Sequence, residues 1–260
     1  MDVFLKNTLQ IKFIKYFNHI MTTTAENGRL GNQIIRNLAV SLIAEKFNLK
    51  VNYCNKTLIC MLGIELFSGD NIHNQTIELN DNNYFSVYNS DLNFNLDPNN
   101  NYFQTKEITN FLYLHLNKNL IKNKIIEENP FKIRYNNNND LFIHVRLSDT
   151  SHWNPGIEYY IRALNQIPFD NLYISTDEKT HNIITKLLEL PNTTLIDYDE
   201  ISTFQFASTC KNIILSHGSF SAIIGYLSFF SKVYYPEYDK NKIWYGDMFS
   251  IDGWNCVKRI

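Results

Sequence analysis

Glycine is scarce in this chain, 9 of 260 residues, so a stretch that holds two of them four positions apart or closer has a structural reason to do so. An excess of one charge is also missing. The 24 basic and 26 acidic residues leave a net charge of -2, without the basic field that nucleic-acid binding needs. The four cysteines, Cys54, Cys60, Cys210 and Cys256, show neither metal-ligand spacing nor the density of a disulfide scaffold, which points to a reducing compartment. No apolar run reaches the roughly 20 residues that a bilayer requires. The longest candidate, Phe4 to Phe17, is interrupted by Lys6, Lys12 and Lys15. It reads as an amphipathic first helix packed on the body, or else as a membrane-surface anchor, and no small-residue cleavage site follows it. The expectation is a soluble, intracellular protein without a transmembrane segment, whose 44% hydrophobic content can fill one large core or two modest ones.

The two close glycines lie in Asn27-Gly28-Arg29-Leu30-Gly31-Asn32-Gln33, between a β-branched run ending at Thr24 and a helical pattern. Ile34, Leu38 and Leu42, with Ala39, Ile43 and Phe47, recur at helical spacing. Glycines at a strand-to-helix turn let backbone approach a ligand, and the helix start offers unpaired N–H groups to an anion. Arg29, Asn32 and Gln33 add a guanidinium fork and two amides. The turn reads as a phosphate or sugar-nucleotide pocket, or more simply as a solvated βα turn.

An αβ rhythm occupies both ends of the chain. The first unit is a strand over Ile20–Thr24, a helix over Ile34–Phe47 and a strand over Lys50–Tyr53. Short strands are expected at Thr76–Leu79 and Tyr84–Tyr88 in a polar middle, then one helix from Lys106 to Glu128. The asparagine run Asn136–Asn139 marks a loop and a domain boundary, giving domains of 1–139 and 140–260. Beyond it, strands at Leu141–Val145, Asn171–Ser175, Thr194–Asp197, Asn212–Ser216 and Lys232–Tyr235 alternate with helices at Glu158–Ile167, Thr180–Leu188, Ile201–Thr209 and Phe220–Phe230. That alternation predicts an α/β fold with a parallel, doubly wound sheet, whose ligands sit at the carboxyl ends of the strands.

Three strand ends carry candidate chemistry. In His144-Val145-Arg146-Leu147-Ser148-Asp149, His144 and Arg146 share a face, and a guanidinium fork matches a diphosphate. A structural Arg–Asp pair beside a buried histidine fits the same residues. Ser175-Thr176-Asp177-Glu178 supplies hydroxyls and an acid, or a helix cap. Ser216-His217-Gly218-Ser219-Phe220-Ser221 opens an apolar helix with amides and hydroxyls suited to phosphate.

These motifs, G-R-L-G-N-Q, H-V-R-x-x-D, Y-I-S-T-D and S-H-G-S-F-S with Ala222, Gly225, Tyr226 and Leu227 after it, resemble the α-1,2-fucosyltransferases of glycosyltransferase family 11. More distantly they are similar to the α-1,6- and protein O-fucosyltransferases. The resemblance runs from Gly28 to Tyr235, with nothing specific between Phe67 and Asn139. It implies a GT-B-like pair of Rossmann-type domains around a central cleft, an N-terminal acceptor-side domain and a C-terminal nucleotide-sugar domain. It also implies GDP-fucose as donor substrate, a glycan acceptor, inversion at the transferred sugar, and neither cofactor nor metal. On that resemblance Arg146 holds the donor β-phosphate, His144 lies near the nucleotide, Ser219 and Phe220 form the late nucleotide loop, and Gly28 to Gln33 face donor and acceptor. Gly28, Arg29, Gly31, Asn32, Gln33, His144, Arg146, Ser175, Asp177, Gly218, Ser219 and Phe220 are therefore the expected donor-binding residues. Leu147 and Ser148 replace the family's second arginine and glycine. Thr203 or a neighbour stands where relatives carry a guanine-reading aspartate, with Asp199 and Glu200 just upstream.

An inverting transfer needs its leaving diphosphate stabilised and the acceptor hydroxyl deprotonated. Arg146 suits the first task. For the second the candidates are Asp149, then Glu158. Three rivals stand beside this reading: a metal-dependent transferase using Asp197-Tyr198-Asp199, a transferase using another nucleotide sugar, and a non-catalytic nucleotide- or glycan-binding relative.

Overall fold

The structure, a computed structural model, describes residues 21–91, 93–237 and 246–258. The stretch Phe4 to Phe17 and Ile20 lie outside the described residues. The N-terminal half opens with strand β1 (Thr22–Thr23), helix α1 (Leu30–Phe47) and strand β2 (Val51–Asn52), and β1 and β2 pair in parallel. Helix α1 is buried on almost every side, since all residues from Leu30 to Ala44 except Asn32 are covered. A helix covered around its whole girth belongs inside a core, and here the covered set includes Gln33, Arg36, Asn37 and Ser41 among the apolar residues. It stops at Asn48, which takes the left-handed conformation (φ 51°) and returns its N–H to the Ala44 carbonyl.

A short helix α2 (Lys56–Cys60) follows, then strand β3 (Thr76–Glu78), helix α3 (Tyr84–Tyr88) and strand β4 (Asn95–Asp97). Strands β3 and β4 pair in parallel, and Leu96 N–H donates to Thr22 Oγ1 (2.8 Å), tying β4 to β1. Tyr84–Tyr88 is a helix and not the expected strand. Asn80 Oδ1 accepts from the N–H groups of Asn82 and Asn83, which winds the chain into a turn immediately before it. The spacing of Tyr84 and Val87 then buries both on one side, with the Tyr84 hydroxyl on the Ala39 carbonyl (2.9 Å). The single helix expected over Lys106–Glu128 is two, α4 (Lys106–Leu116) and α5 (Asn119–Glu128). The break falls at Lys118, whose backbone is extended, after Asn117 has turned its amide onto the Tyr113 carbonyl.

The second half alternates as expected: β5 (Leu141–Val145), α6 (Ile157–Leu164), β6 (Leu172–Thr176), α7 (Asn182–Leu188), β7 (Thr193–Leu195), α8 (Glu200–Ala207), β8 (Asn212–Ile214), α9 (Gly218–Leu227) and β9 (Lys232–Pro236). A sixth strand that the sequence reading lacked, β10 (Asn255–Val257), completes the sheet. The strands are all parallel, in the order β10-β9-β8-β5-β6-β7. Counted within this sheet that is 3-2-1-4-5-6 read from the opposite edge, the doubly wound order whose switch point lies between its first and fourth strands. Here that crevice falls between β5 and β8.

The alternation of β5 sorts its side chains. Leu141, Ile143 and Val145 pack with residues of α6 and α7, whereas Phe142 joins the cluster built by α1, α8 and α9. His144 and Arg146 share the parity of Phe142, so both face the side where α9 and α1 begin. That cluster runs without interruption across the 139/140 position, uniting Ile34 and Leu38 with Ile213 and Ile223. Among the described residues no helix is long and apolar enough to cross a membrane.

Candidate functional site

At the carboxyl ends of β5, β6 and β8 a cleft of about 350 Å³ opens, closed on its other side by the first turn of α1. The volume is that of a small-molecule site. Two helix starts converge on it. Gly31 of α1 sits so close to α9 that a Cβ there would lie 2.6 Å from Phe220 N and 2.7 Å from the Ser219 carbonyl carbon. Only glycine permits this approach. Gly28 and Gly218 have φ of +72° and +87°, and both belong to the lining. Neither α1 nor α9 has a side-chain cap or an acidic residue in its first turn. Thr105 caps α4, His181 caps α7 and Asp199 caps α8, while α2, α3, α5 and α6 are also uncapped but begin away from the cleft. Two uncapped N-termini facing one cleft leave their orphan N–H groups and positive dipole ends to whatever enters.

Arg146 leaves β5 at the edge of this cleft. Its guanidinium pairs with Asp177, at the end of β6, and with Asp149 (2.5 Å), and its Nε donates to Thr150 Oγ1 (3.2 Å). Arg29, the residue before α1, reaches across to the same carboxylates, 3.3 Å from Asp149 and 3.5 Å from Asp177. All four charged side chains line the cleft. The structural Arg–Asp pair weighed from the sequence is thus real, but it belongs to a wider network at a ligand-sized opening.

Behind this wall lies a buried polar layer. His144 shares a 2.6 Å hydrogen bond with Ser221, and its ring lies over Phe220 at 5.0 Å. Burial first, then the charge of Arg146, pushes His144 down to about 3. Burial and the same guanidinium bring His217 down to about 4, so both rings are neutral at pH 7. His217 bonds Thr150 Oγ1 through Nε2 (3.0 Å), which holds the residue that in turn supports Arg146. Asn154 donates to the Arg146 carbonyl (2.8 Å) and to the Tyr160 hydroxyl (3.0 Å), while Tyr160 donates to Ser216 (3.0 Å). The Arg146 loop is therefore bolted to the β8–α9 turn by neutral hydrogen bonds.

Away from the arginines the lining changes to Tyr198, Glu200, Thr203 and Phe220, with Phe220 stacked on the buried Phe204 at 4.2 Å. Thr203 is almost fully covered, and Glu200 is the carboxylate on this part of the wall. Asp199 serves as the cap of α8 and Asp197 pairs with Lys179 (2.7 Å), so the D-x-D residues are used elsewhere and neither lines the cleft.

Of the residues singled out from sequence, Gly28, Arg29, Gly31, Asn32, His144, Arg146, Asp149, Ser175, Asp177, Gly218, Ser219 and Phe220 all line this opening. Two do not. Gln33 is buried inside the turn, where its amide donates to the Gly28 carbonyl (2.8 Å) and accepts from Asn55 (2.5 Å), so it shapes the loop without facing the cleft. Glu158 is exposed on α6, outside the lining. Thr176, Tyr198 and His217 also line it, although the sequence reading named them only within motifs and gave them no role, and Tyr102 and Thr150 it missed altogether. Thr150 adjoins a chosen residue and could have been included. Tyr102 comes from an irregular segment that neither periodicity nor motif marks. No protein-family model matches the chain, and no curated protein matches it either.

Proposed function

We propose that the chain is an inverting, metal-independent glycosyltransferase that moves fucose from GDP-fucose to a glycan hydroxyl, in the α-1,2 linkage that its motifs imply. One observation carries the reading. Two uncapped helix N-termini and two arginines converge on a ligand-sized cleft at the switch point of a doubly wound sheet. Such a cleft suits a nucleoside diphosphate sugar, whose diphosphate would lie against the α1 and α9 amides with Arg146 and Arg29 beside it. The aromatic and carboxylate end near Tyr198, Glu200 and Phe220 offers a place for the base. In this reading the N-terminal half is the acceptor side of a GT-B-like pair.

The reaction asks little of the protein beyond charge placement. As the bond between the sugar and the diphosphate breaks, negative charge grows on the leaving oxygen, where Arg146 and preorganised amides stabilise it. Of the two candidate bases only Asp149 lies in the cleft, so it is assigned the acceptor proton and Glu158 is set aside.

Thermal shift against a nucleotide panel tests the reading. GDP or GDP-fucose should raise the melting temperature more than UDP or CMP, with saturation at roughly 100 Kd adding about 2.7 kcal/mol. Larger shifts with UDP-sugars would defeat the fucosyl assignment and keep a transferase. A second reading, a binding protein without turnover, draws on the occupancy of both arginines by carboxylates. Hydrolysis of GDP-fucose without acceptor separates the two, since a pure binder releases no fucose.

A further inference from the structure

The two carboxylates that hold Arg29 and Arg146 are not equivalent, and the difference has a consequence for the diphosphate reading, on which this inference rests. Asp177 is anchored. Its Oδ1 accepts from the Leu147 N–H at 2.8 Å, only Oδ2 is given to the guanidiniums, and the side chain is 23% exposed. Asp149 is 57% exposed and stands on a 3-10 turn, Ser148–Trp153, that is broken at Thr150 (φ -120°, ψ 23°). Its Oδ1 receives both Arg146 Nη2 (2.5 Å) and Arg29 Nη2 (3.3 Å).

A phosphate entering the cleft needs guanidinium nitrogens that are already taken. With four unit charges of alternating sign, the wall is neutral until one carboxylate leaves. Asp177 cannot leave without stripping the Leu147 N–H. Asp149 can, because its turn is exposed and its partners are the guanidiniums themselves.

We propose that Asp149 is a displaceable internal ligand that occupies the seat of a donor phosphate and becomes the general base only when that phosphate expels it. While paired, the carboxylate is turned to the arginines. Once displaced, it is a free carboxylate at the rim of a cleft whose guanidiniums now hold the diphosphate. In the transfer step the acceptor oxygen bonds to the anomeric carbon, and the bond from that carbon to the diphosphate oxygen breaks. Its electron pair goes to the diphosphate, and the acceptor proton goes to Asp149. Donor binding thus precedes base release, which keeps the base from acting in an empty site.

Calorimetric titration of GDP and of inorganic pyrophosphate into the full chain tests this, with Asp149→Asn and Arg29→Ala beside the wild type. Asp149→Asn should bind both probes about fivefold more tightly, the worth of a partly exposed ion pair. Arg29→Ala should bind them more weakly. With GDP-fucose and acceptor, the same Asp149→Asn change should lower kcat by roughly a hundredfold or more. Binding that is unchanged or weakened in Asp149→Asn overturns the proposal, and so does loss of the fold, because a residue built to move away cannot be one the fold needs. Undiminished kcat removes the base role. If no form binds either probe, the diphosphate reading itself falls, and this inference with it.

Discussion

Arg146 and Asp177 are the first residues past the paired ends of two neighbouring strands, and they form an ion pair there. The β5–β6 ladder runs from Leu141↔Leu172 to Val145↔Thr176, so the next step on each strand brings guanidinium and carboxylate side by side. Asp177 also accepts the Leu147 N–H (2.8 Å), which turns the chain out of the sheet at the point where the cleft begins. Register alone thus aims Arg146 along the wall.

That geometry sets the expected behaviour of Arg146 variants. If the fork stabilises charge that grows as the donor bond breaks, Arg146→Ala should lower kcat/KM by roughly a hundredfold, the scale of losing one oxyanion-type donor. Arg146→Lys keeps the charge, but it cannot hold two carboxylates and a hydroxyl in one plane, and it should recover little. Steady-state kinetics beside circular dichroism checks this. An unfolded Arg146→Ala would mark the residue as purely structural, and a fully active one would move the donor site elsewhere.

Gly31 offers a test that removes no charge. A methyl group there would meet the Phe220 and Ser219 backbone at 2.6 to 2.9 Å, and backbone at a helix start cannot yield without shifting α9. Gly31→Ala should cost about 1–3 kcal/mol, as overpacking does, and should weaken nucleotide binding by separating the two helix N-termini. Gly218→Ala supplies the contrast. Nothing lies within 4 Å of a Cβ there, so its penalty comes from φ +87° alone. Urea titration ranks the two, and a Gly31→Ala as stable as wild type would refute the close approach.

Much of this site could be read from the sequence because its parts are local. The strand at Leu141–Val145 was expected with the bounds it has, since an unbroken apolar run bounded by polar residues leaves little choice. The loops after β5, β6 and β8 each join an apolar run to a small or charged turn, so position in the alternation was enough to nominate them. What was missed depends on contacts between distant segments. Nothing in Tyr84–Tyr88 itself distinguishes strand from helix. The choice is made by the Asn80 turn before it and by a hydroxyl contact 45 positions away, on Ala39. Asn255–Val257 is too short to carry a pattern and becomes a strand by pairing with β9. The network between Arg29 and the two aspartates needs α1 to be packed on α9, which is a property of the core.

The buried histidines predict a pH dependence of stability. Folding holds His144 near 3 and His217 near 4, whereas an unfolded histidine titrates near its ordinary 6.5. Between those values the unfolded chain binds protons that the folded chain refuses, so stability is full above about pH 6.5 and falls as pH drops toward 4. Each such histidine contributes a slope of up to ~1.4 kcal/mol per pH unit in that window. Urea unfolding at pH 7 and pH 5 should show the loss, and His217→Gln should flatten it. A stability unchanged between those pH values would show that the rings take up protons in the fold as readily as in the unfolded chain.

Arg36 gives the least intuitive expectation. It sits on α1 one turn beyond Asn32, with no solvent exposure, and its Nε and Nη1 have no hydrogen-bond partner. Nη2 donates to the Asn99 carbonyl (2.8 Å), and the guanidinium carbon lies 5.9 Å from the centre of the Tyr102 ring. Burial lowers its pKa from the ordinary arginine value, the mark of a charge that folding has desolvated. One carbonyl, one ring face and the Asp97 carboxylate beyond ion-pair distance are thin compensation for removing a guanidinium from water, whose cost runs to several kcal/mol. Arg36→Met keeps the length and packing of the side chain and removes the charge, so it should stabilise the protein by about 1–4 kcal/mol, the range seen when buried ionic groups are exchanged for apolar ones. The Asn99 carbonyl loses this donor but keeps the Asn27 amide (3.2 Å), and it belongs to an exposed turn where water can take the vacated position. Thermal and urea unfolding at pH 7 measure the change. A destabilised Arg36→Met would mean that the two free nitrogens are satisfied in solution, and the segment Asp97–Phe103 would then be held to α1 through that arginine.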